Sequence, residues 1–427
     1  MSYFRIAGGC HLAGRISVYG SKNAALPLFA AALLTSDKVT LTNIPAIADI
    51  ERMCAIVQTM GVTTEYADTT LIVETPALTG ESARDDLVKT LRGSILLLGA
   101  LLGRNRSASI AFPGGDIIGA RPIDAHIDGF KQLGAVVSSQ DHERISLDGS
   151  KMKAGTVVLR EFSVTATENM LLASVLLAGT TTIHIAAAEP HVVALADMLN
   201  AMGAKISGAG THTITVEGVE KLHGTTFANI PDMLEAGTFI LMAAATQSHL
   251  TVENVPTQDL LLFFKKLDDI GIAYEITPTH DGLADVAVSP SPLKAFTMQS
   301  LPHPGIPTDL QAPFAVIATQ ATGTSLIHDP LYEGRFKHVT ELQKMGAQAV
   351  VCDPHRVIIT GPTKLHGQRI PSLDIRSGVT LLMAGMVADG ETIIDQAEII
   401  DRGYARIQER LSAVGADIER GEDGSHA

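Results

Sequence analysis

The chain has 427 residues, too many for one ordinary hydrophobic core, so two or three domains are expected. Hydrophobic residues make up 46% and charged residues 18%, with 4% aromatics and no Trp, so aliphatic and alanine packing must fill the interior. A formal charge of −14 argues against a general nucleic-acid binder, which needs clustered Lys and Arg, but leaves room for a local cationic pocket.

From the N-terminus, MSYFRIAGGC lacks a basic stretch leading into a long apolar run, so no signal peptide is expected. A strand is expected from Phe4 to Val18. Lys22-Asn23 then opens an apolar run at 24–34, and similar runs follow at 95–102, 170–178, 239–245, 313–319 and 379–387. Each is apolar on nearly every side, which marks a helix buried all round. None approaches the roughly 20 residues needed to span a bilayer.

Between these runs stand strand-like segments rich in Thr, Val and Ile, at 39–44, 107–112, 180–185, 249–255, 323–328 and 391–395. Each leads through a loop into an amphipathic stretch that stops at a glycine: Gly61, Gly134, Gly203, Gly271, Gly346 or Gly415. The phrase around that glycine (MGVTTE, MGAKI, MGAQAV) returns about every seventy residues, so the chain is a six-fold repeat. The fold class is α/β, built from βαβαββ-type units. Three buried helices inside each of two domains is the packing we expect, although the repeat alone does not exclude a single six-unit ring. The domains are then 23–230, and 1–22 plus 231–420, with a polar, disordered tail at 421–427.

The repeat allows polar positions to be compared. At the mouths of the buried helices stand Lys22-Asn23, Arg92, Glu168-Asn169, Glu235, Asp309 and Arg376. Acidic residues there suit a helix N-terminus as caps. Lys22, Arg92 and Arg376 have the opposite sign and suit a bound phosphate or carboxylate. The loop after each first strand carries Asp49, Arg121, His191, Asp259, Arg335 and Arg402. Asp49 and Asp259 read as caps or surface charges. Arg121, Arg335 and Arg402 lie in glycine-containing loops, and three guanidinium groups from equivalent loops suit convergent anion binding.

Cys10, Cys54 and Cys352 are far apart, which fits a reducing, cytoplasmic setting with neither a disulfide framework nor a zinc knuckle. No HExxH, P-loop or GxSxG motif occurs, and the GGxxxG at Gly114 lacks the dinucleotide-binding spacing, so no metal and no cofactor are expected.

GSKNAALP (20–27), KTLRGSILLLG (89–99), FPGGDIIGARPIDAHI (112–127), SVTATENMLLA (163–173), HPGIPTDLQAPF (303–314), EGRFKHVTEL (333–342), DIRSGVTLLMAG (374–385) and IDRGYARI (400–407) together resemble the UDP-N-acetylglucosamine 1-carboxyvinyltransferases. The resemblance covers essentially the whole chain. It implies two inside-out α/β barrels of three repeats each and an active site between the domains. It also implies transfer of the enolpyruvyl group of phosphoenolpyruvate to the sugar 3′-hydroxyl, an early step of peptidoglycan synthesis. By motif, Asp309 is the candidate base, Asp116 the candidate acid, and Lys22 a further catalytic residue. Lys22, Arg121 and Arg402 would grip phosphoenolpyruvate, supported by Arg92, Arg335 and Arg376. Asn23, Arg92, Arg121, Pro122, Ile123, Asp124, Ala125, Ser163, Val164, Asp309 and Leu331 would meet the UDP-sugar. No nucleic acid or membrane partner is implied, and the protein is expected to be a monomer or weak homo-oligomer.

Four positions depart from the family's usual residues. Asp116 stands where a cysteine is common, and a carboxylic acid can replace a thiol as proton donor if burial raises its pKa. Glu161 replaces a lysine, Thr165 a glycine and Met233 an arginine, which bears on diphosphate affinity. Two other readings stay in view: a non-catalytic UDP-sugar-binding paralogue, and a 5-enolpyruvylshikimate-3-phosphate synthase. The second lacks its glycine-rich signature, because KTLRGS stands at the corresponding place.

Overall fold

The computed structural model describes residues 2–78, 84–114, 122–140 and 143–422. Along the chain, α1 (Lys22–Ala32) is followed by α2 (Ala48–Gln58), the short α3 (Asp85–Val88), α4 (Leu96–Asn105), α5 (Asp124–Gln132), α6 (Val164–Ser174), α7 (Pro190–Ala201), α8 (Met233–Ala245), α9 (Leu261–Ile270), α10 (Gln311–Gln320), α11 (Lys337–Lys344), α12 (Ile375–Val387) and α13 (Ile407–Ala413). The six apolar runs are α1, α4, α6, α8, α10 and α12. Their enclosure is nearly complete, and every residue of α8 is buried. The third run, 170–178, extends past its helix, since α6 (Val164–Ser174) stops at Ser174.

The amphipathic helices α2, α5, α7, α9, α11 and α13 each run into a repeat glycine. All six of those glycines have φ between 85° and 105°, the left-handed stop that a β-carbon would strain.

The chain forms two compact units, changing from one to the other between Tyr19 and Gly20 and again between Ile230 and Pro231. Gly20, Ser21 and Lys22 therefore group with the residues that follow them. In the unit from Gly20 to Ile230, α1, α4 and α6 touch one another. Around them lie three sheets, two of four strands and one of three. The last short strand of this unit, Thr226–Ala228, pairs in parallel with its first, Val39–Thr42.

The other unit repeats the plan with α8, α10 and α12 mutually in contact and three four-stranded sheets. The N-terminal residues complete two of these sheets. The segment 4–18, expected as one strand, is two: Ser2–Ala7 pairs antiparallel with Glu391–Asp395, and Ala13–Ser17 pairs in parallel with His249–Val255. The break falls at Gly8-Gly9, where a β-carbon on Gly8 would lie 1.9 Å from the Ala388 carbonyl oxygen. Part of the supposed tail is also structured, because Gly421 and Glu422 belong to the strand Ile418–Glu422 against Ser2 and Tyr3.

Candidate active site

In the unit containing α8, α10 and α12, the mouths of the three buried helices come together. Asp309 lies in the 3₁₀ turn Thr308–Leu310 that leads into α10, and Arg376 lies in the first turn of α12. Arg376 Nε donates to Asp309 Oδ2 at 3.1 Å, and Arg335 Nη1 donates to Asp309 Oδ1 at 3.0 Å. Asp309 is thus an ion-paired carboxylate, not a helix cap. Its burial alone would raise its pKa, but the charges of Arg335 and Arg376 outweigh that and hold it far below the usual carboxylate range.

The true caps are Asp232, which accepts from the Leu234 and Glu235 N–H groups, and Asp374, which accepts from the Arg376 and Ser377 N–H groups. Asp232 is buried, and its charge reaches Arg376. Burial works against the charged form of Arg335, while Asp309, Asp374 and Asp329 sustain it. Two guanidinium groups therefore sit among four carboxylates.

The guanidinium groups differ in their support. Arg376 Nη1 donates to the buried Tyr404 hydroxyl at 2.9 Å and lies 5.2 Å over the same ring. Arg335 sits in the loop before α11, donates to Thr308 Oγ1 at 3.0 Å, and lies 5.6 Å from the ring of Tyr332, which is 38% exposed. Leu331, in the same loop, is also exposed. Arg402 ends the 3₁₀ segment Ala397–Arg402, which packs closely on α12. Gly378 permits that approach: a β-carbon there would be 2.6 Å from Ile400.

In the other unit, Lys22 is the first residue of α1, which Ser21 caps. Lys22 Nζ lies 2.6 Å from Asp49 Oδ2. Asp49 is 1% exposed, which corrects its reading as a surface charge or cap. Arg92 opens the 3₁₀ turn Arg92–Ile95. Burial, helped by the Arg92 charge, lowers the pKa of His126 to about 3.

The neutral His126 accepts from Asn169 Nδ2 at Nδ1, 2.8 Å, so its proton sits on Nε2, 3.2 Å from Thr165 Oγ1. Asn169 also donates to the Ile95 carbonyl and accepts from the Gly99 N–H. It thereby ties α6 to the start of α4. Thr165 has a concrete role in this network. Beside it, Ser163 makes no side-chain cap to α6, unlike the capped α1, α8 and α12. Ser163 and Val164 are half-buried. Glu161 is exposed and Met233 buried. Pro122 and Asp124 are exposed, while the Ile123 and Ala125 side chains are buried and leave mainly their backbone for contact. Asn23 is half-buried next to Lys22. Asp116 and Arg121 lie outside the described residues.

The structure thus brings Asp309, Arg335 and Arg376 into direct contact in one unit. Lys22, Arg92 and the Ser163 region belong to the other. Sequence reasoning misread Asp49 and missed Asp232, Asp374 and Tyr404. An aspartate directly before a buried apolar run was a legible signal for Asp232 and Asp374. Among the described residues no group of three or more His, Cys, Asp and Glu side chains is arranged to hold a metal ion. No helix there is long and apolar enough to cross a membrane.

Comparison with known proteins places this geometry in context. Residues 6–411 match the family model described as EPSP synthase (3-phosphoshikimate 1-carboxyvinyltransferase). UDP-N-acetylglucosamine 1-carboxyvinyltransferase 2 of Carboxydothermus hydrogenoformans is 42% identical, covering 99% of this chain and 100% of its own length. The UDP-N-acetylglucosamine 1-carboxyvinyltransferase of Halothermothrix orenii is 41% identical, covering 98% and 100%. The crystal structure of the enolpyruvyl transferase NikO from Streptomyces tendae superposes with a TM-score of 0.88 at 25% identity, covering 98% of both chains. An EPSP synthase from Acinetobacter baumannii shares the fold, with a TM-score of 0.75 at 20% identity over 99% and 100% of the two chains.

Proposed function

Because the chain belongs to the EPSP synthase family, on the side of the UDP-N-acetylglucosamine 1-carboxyvinyltransferases, we propose that it transfers the enolpyruvyl group of phosphoenolpyruvate to the 3′-hydroxyl of UDP-N-acetylglucosamine. The sugar oxygen adds to C2 while C3 gains a proton. C3 then loses a proton as phosphate departs from C2, leaving the enol ether. The product is a committed precursor of peptidoglycan, made in the cytoplasm by a monomer or weak homo-oligomer.

The observation that carries this reading is the Asp309 carboxylate held between Arg335 and Arg376 at the mouths of three buried helices. In our assignment Asp309 receives the hydroxyl proton and Asp116 delivers one to C3, as general base and acid. Lys22, Arg121 and Arg402, supported by Arg92, Arg335 and Arg376, neutralise the phosphate and carboxylate of the donor. The uncapped N-terminus of α6 at Ser163 and Val164 supports a diphosphate site, because unpaired N–H groups there favour anions. Asn23, Pro122, Ile123, Asp124, Ala125 and Leu331 complete the nucleotide-sugar contacts in this assignment.

The test is phosphate release from phosphoenolpyruvate with UDP-N-acetylglucosamine as acceptor, run beside shikimate 3-phosphate. Turnover with the sugar nucleotide alone is expected. Binding of the nucleotide without turnover would favour a non-catalytic paralogue.

A further inference from the structure

Asp309 poses a chemical problem for the role assigned to it. A carboxylate clamped by two guanidinium groups is a weak base, and both clamps are in place in this structure. Release of either clamp would make Asp309 a stronger base.

The surroundings distinguish the two. Arg376 Nη1 donates to Tyr404 Oη at 2.9 Å, and Tyr404 Oη lies 3.1 Å from Thr238 Oγ1. Thr238 Oγ1 spends its own proton on the Leu234 carbonyl at 2.7 Å, so Tyr404 must donate to Thr238. The chain from Arg376 through Tyr404 and Thr238 to the backbone of α8 therefore has one direction, with every donor matched. Tyr404 and Thr238 are at most 1% exposed. Burial raises the Tyr404 phenol pKa despite the nearby Arg376 charge, so the hydroxyl keeps the proton it donates. The chain from Arg335 is shorter and ends on a loop carboxylate, not on the backbone of a buried helix. The supports of Arg335 are a partly exposed Tyr332 ring and Thr308 Oγ1, which itself donates to Asp329.

We propose that Tyr404 is a positioning residue that keeps Arg376 on Asp309, so that Arg335 is the guanidinium handed to an anionic group of the substrate. Arrival of phosphoenolpyruvate thereby turns Asp309 from a clamped carboxylate into a usable base. This rests on the enolpyruvyl-transfer reading above. Arg335 and Arg376 face Asp309; Asp232 faces Arg376; Asp329, Asp374 and His338 face Arg335.

The experiment compares Tyr404→Phe and Arg335→Ala with the unaltered full chain, in phosphate release from phosphoenolpyruvate and UDP-N-acetylglucosamine across pH. Tyr404→Phe is expected to lower kcat about tenfold or more, with KM for phosphoenolpyruvate within about threefold. The acid limb of its kcat profile moves to higher pH, because Asp309 loses part of its clamp. Arg335→Ala is expected to act chiefly on KM for phosphoenolpyruvate. Tyr404→Phe with unaltered kcat and acid limb overturns the proposal, as does a rise in KM matching that of Arg335→Ala. If Tyr404→Phe does not fold, Thr238→Val takes its place with Thr238→Ser as the conservative control. The valine variant must then lower kcat and the serine restore it; equal kinetics in both also overturn the proposal. Inactivity of the unaltered chain would instead count against the enolpyruvyl-transfer reading.

Discussion

Arg376 Nε lies 3.1 Å from Asp309 Oδ2, although the two residues are 67 positions apart. That separation is close to one repeat, so equivalent helix mouths of neighbouring repeats meet. The repeat thus acts as a device for concentrating charge: one substitution pattern, copied along the chain, yields a carboxylate and a guanidinium at touching positions. Asp309→Asn keeps the shape and removes the charge. We expect kcat to fall by about 10²–10⁴, the usual contribution of a general base. Steady-state phosphate release checks this, with thermal unfolding as a control for folding.

Lys22 is held by Asp49 at 2.6 Å, and both side chains are largely buried. Asp49→Asn removes the buried carboxylate that faces the Lys22 ammonium and so weakens its positioning. KM for phosphoenolpyruvate should rise about tenfold, equivalent to about 1.4 kcal/mol of lost positioning. An unchanged KM would show that Lys22 needs no such anchor.

Glu168 is wholly buried in α6, with Oε1 lacking a hydrogen-bond partner among the described residues. Burial, and then the Glu189 charge, push its pKa well above the ordinary 4.5. The folded state therefore binds a proton that the unfolded chain has released. Stability then falls as pH rises from 4.5 to the folded pKa, by up to about 1.4 kcal/mol per pH unit. Glu168→Gln removes that slope. Denaturant titrations should find the variant more stable than the unaltered chain at pH 8 and no more stable near pH 4.

Arg410 donates to both carboxylate oxygens of buried Glu235, at 2.6 and 2.9 Å, between the rings of Tyr19 and Phe239. The Glu235 carboxylate also accepts from the Tyr19 N–H. Arg410→Met strands the buried carboxylate and should cost about 3–5 kcal/mol. Adding Glu235→Gln should recover part of it. A double variant no better than the single would mean that the arginine's packing on the two rings outweighs its charge.

Position 116 is aspartate, and no cysteine stands within the segment around it. Two of the three cysteines are poor substitutes, since burial raises Cys10 to about 11 and also raises Cys54, while Cys352 is exposed on a strand of another region. Thiol-alkylating epoxide inhibitors should leave activity intact, and intact-protein mass spectrometry should find no adduct on residue 116. Rapid covalent loss of activity mapped to Asp116 would contradict this.

Much of the fold was legible because a helix apolar on all sides has few places to go except inside, and because the glycine stop repeats with the strands. The N-terminal strands were harder. Nothing in 4–18 says that Gly8-Gly9 must break the run, since the obstructing Ala388 carbonyl lies far along the chain. In the site, Asp309, Arg335 and Arg376 stood out by repeat position and motif. Their mutual compensation did not. Lys22 and Arg376 seemed to need an external anion because Asp49 and Asp309 could not be seen beside them. Tyr404 was silent for the same reason: a buried hydroxyl needs a partner, but sequence does not say which one.

The most direct measurement is the reaction of phosphoenolpyruvate with UDP-N-acetylglucosamine in deuterium oxide, following phosphate and the enol ether together. Addition and elimination through C3 should give one phosphate per enolpyruvyl product and deuterium on the vinyl carbon, all lost in Asp309→Asn. Phosphate without enol ether, or enol ether with no deuterium at that carbon, would contradict the account.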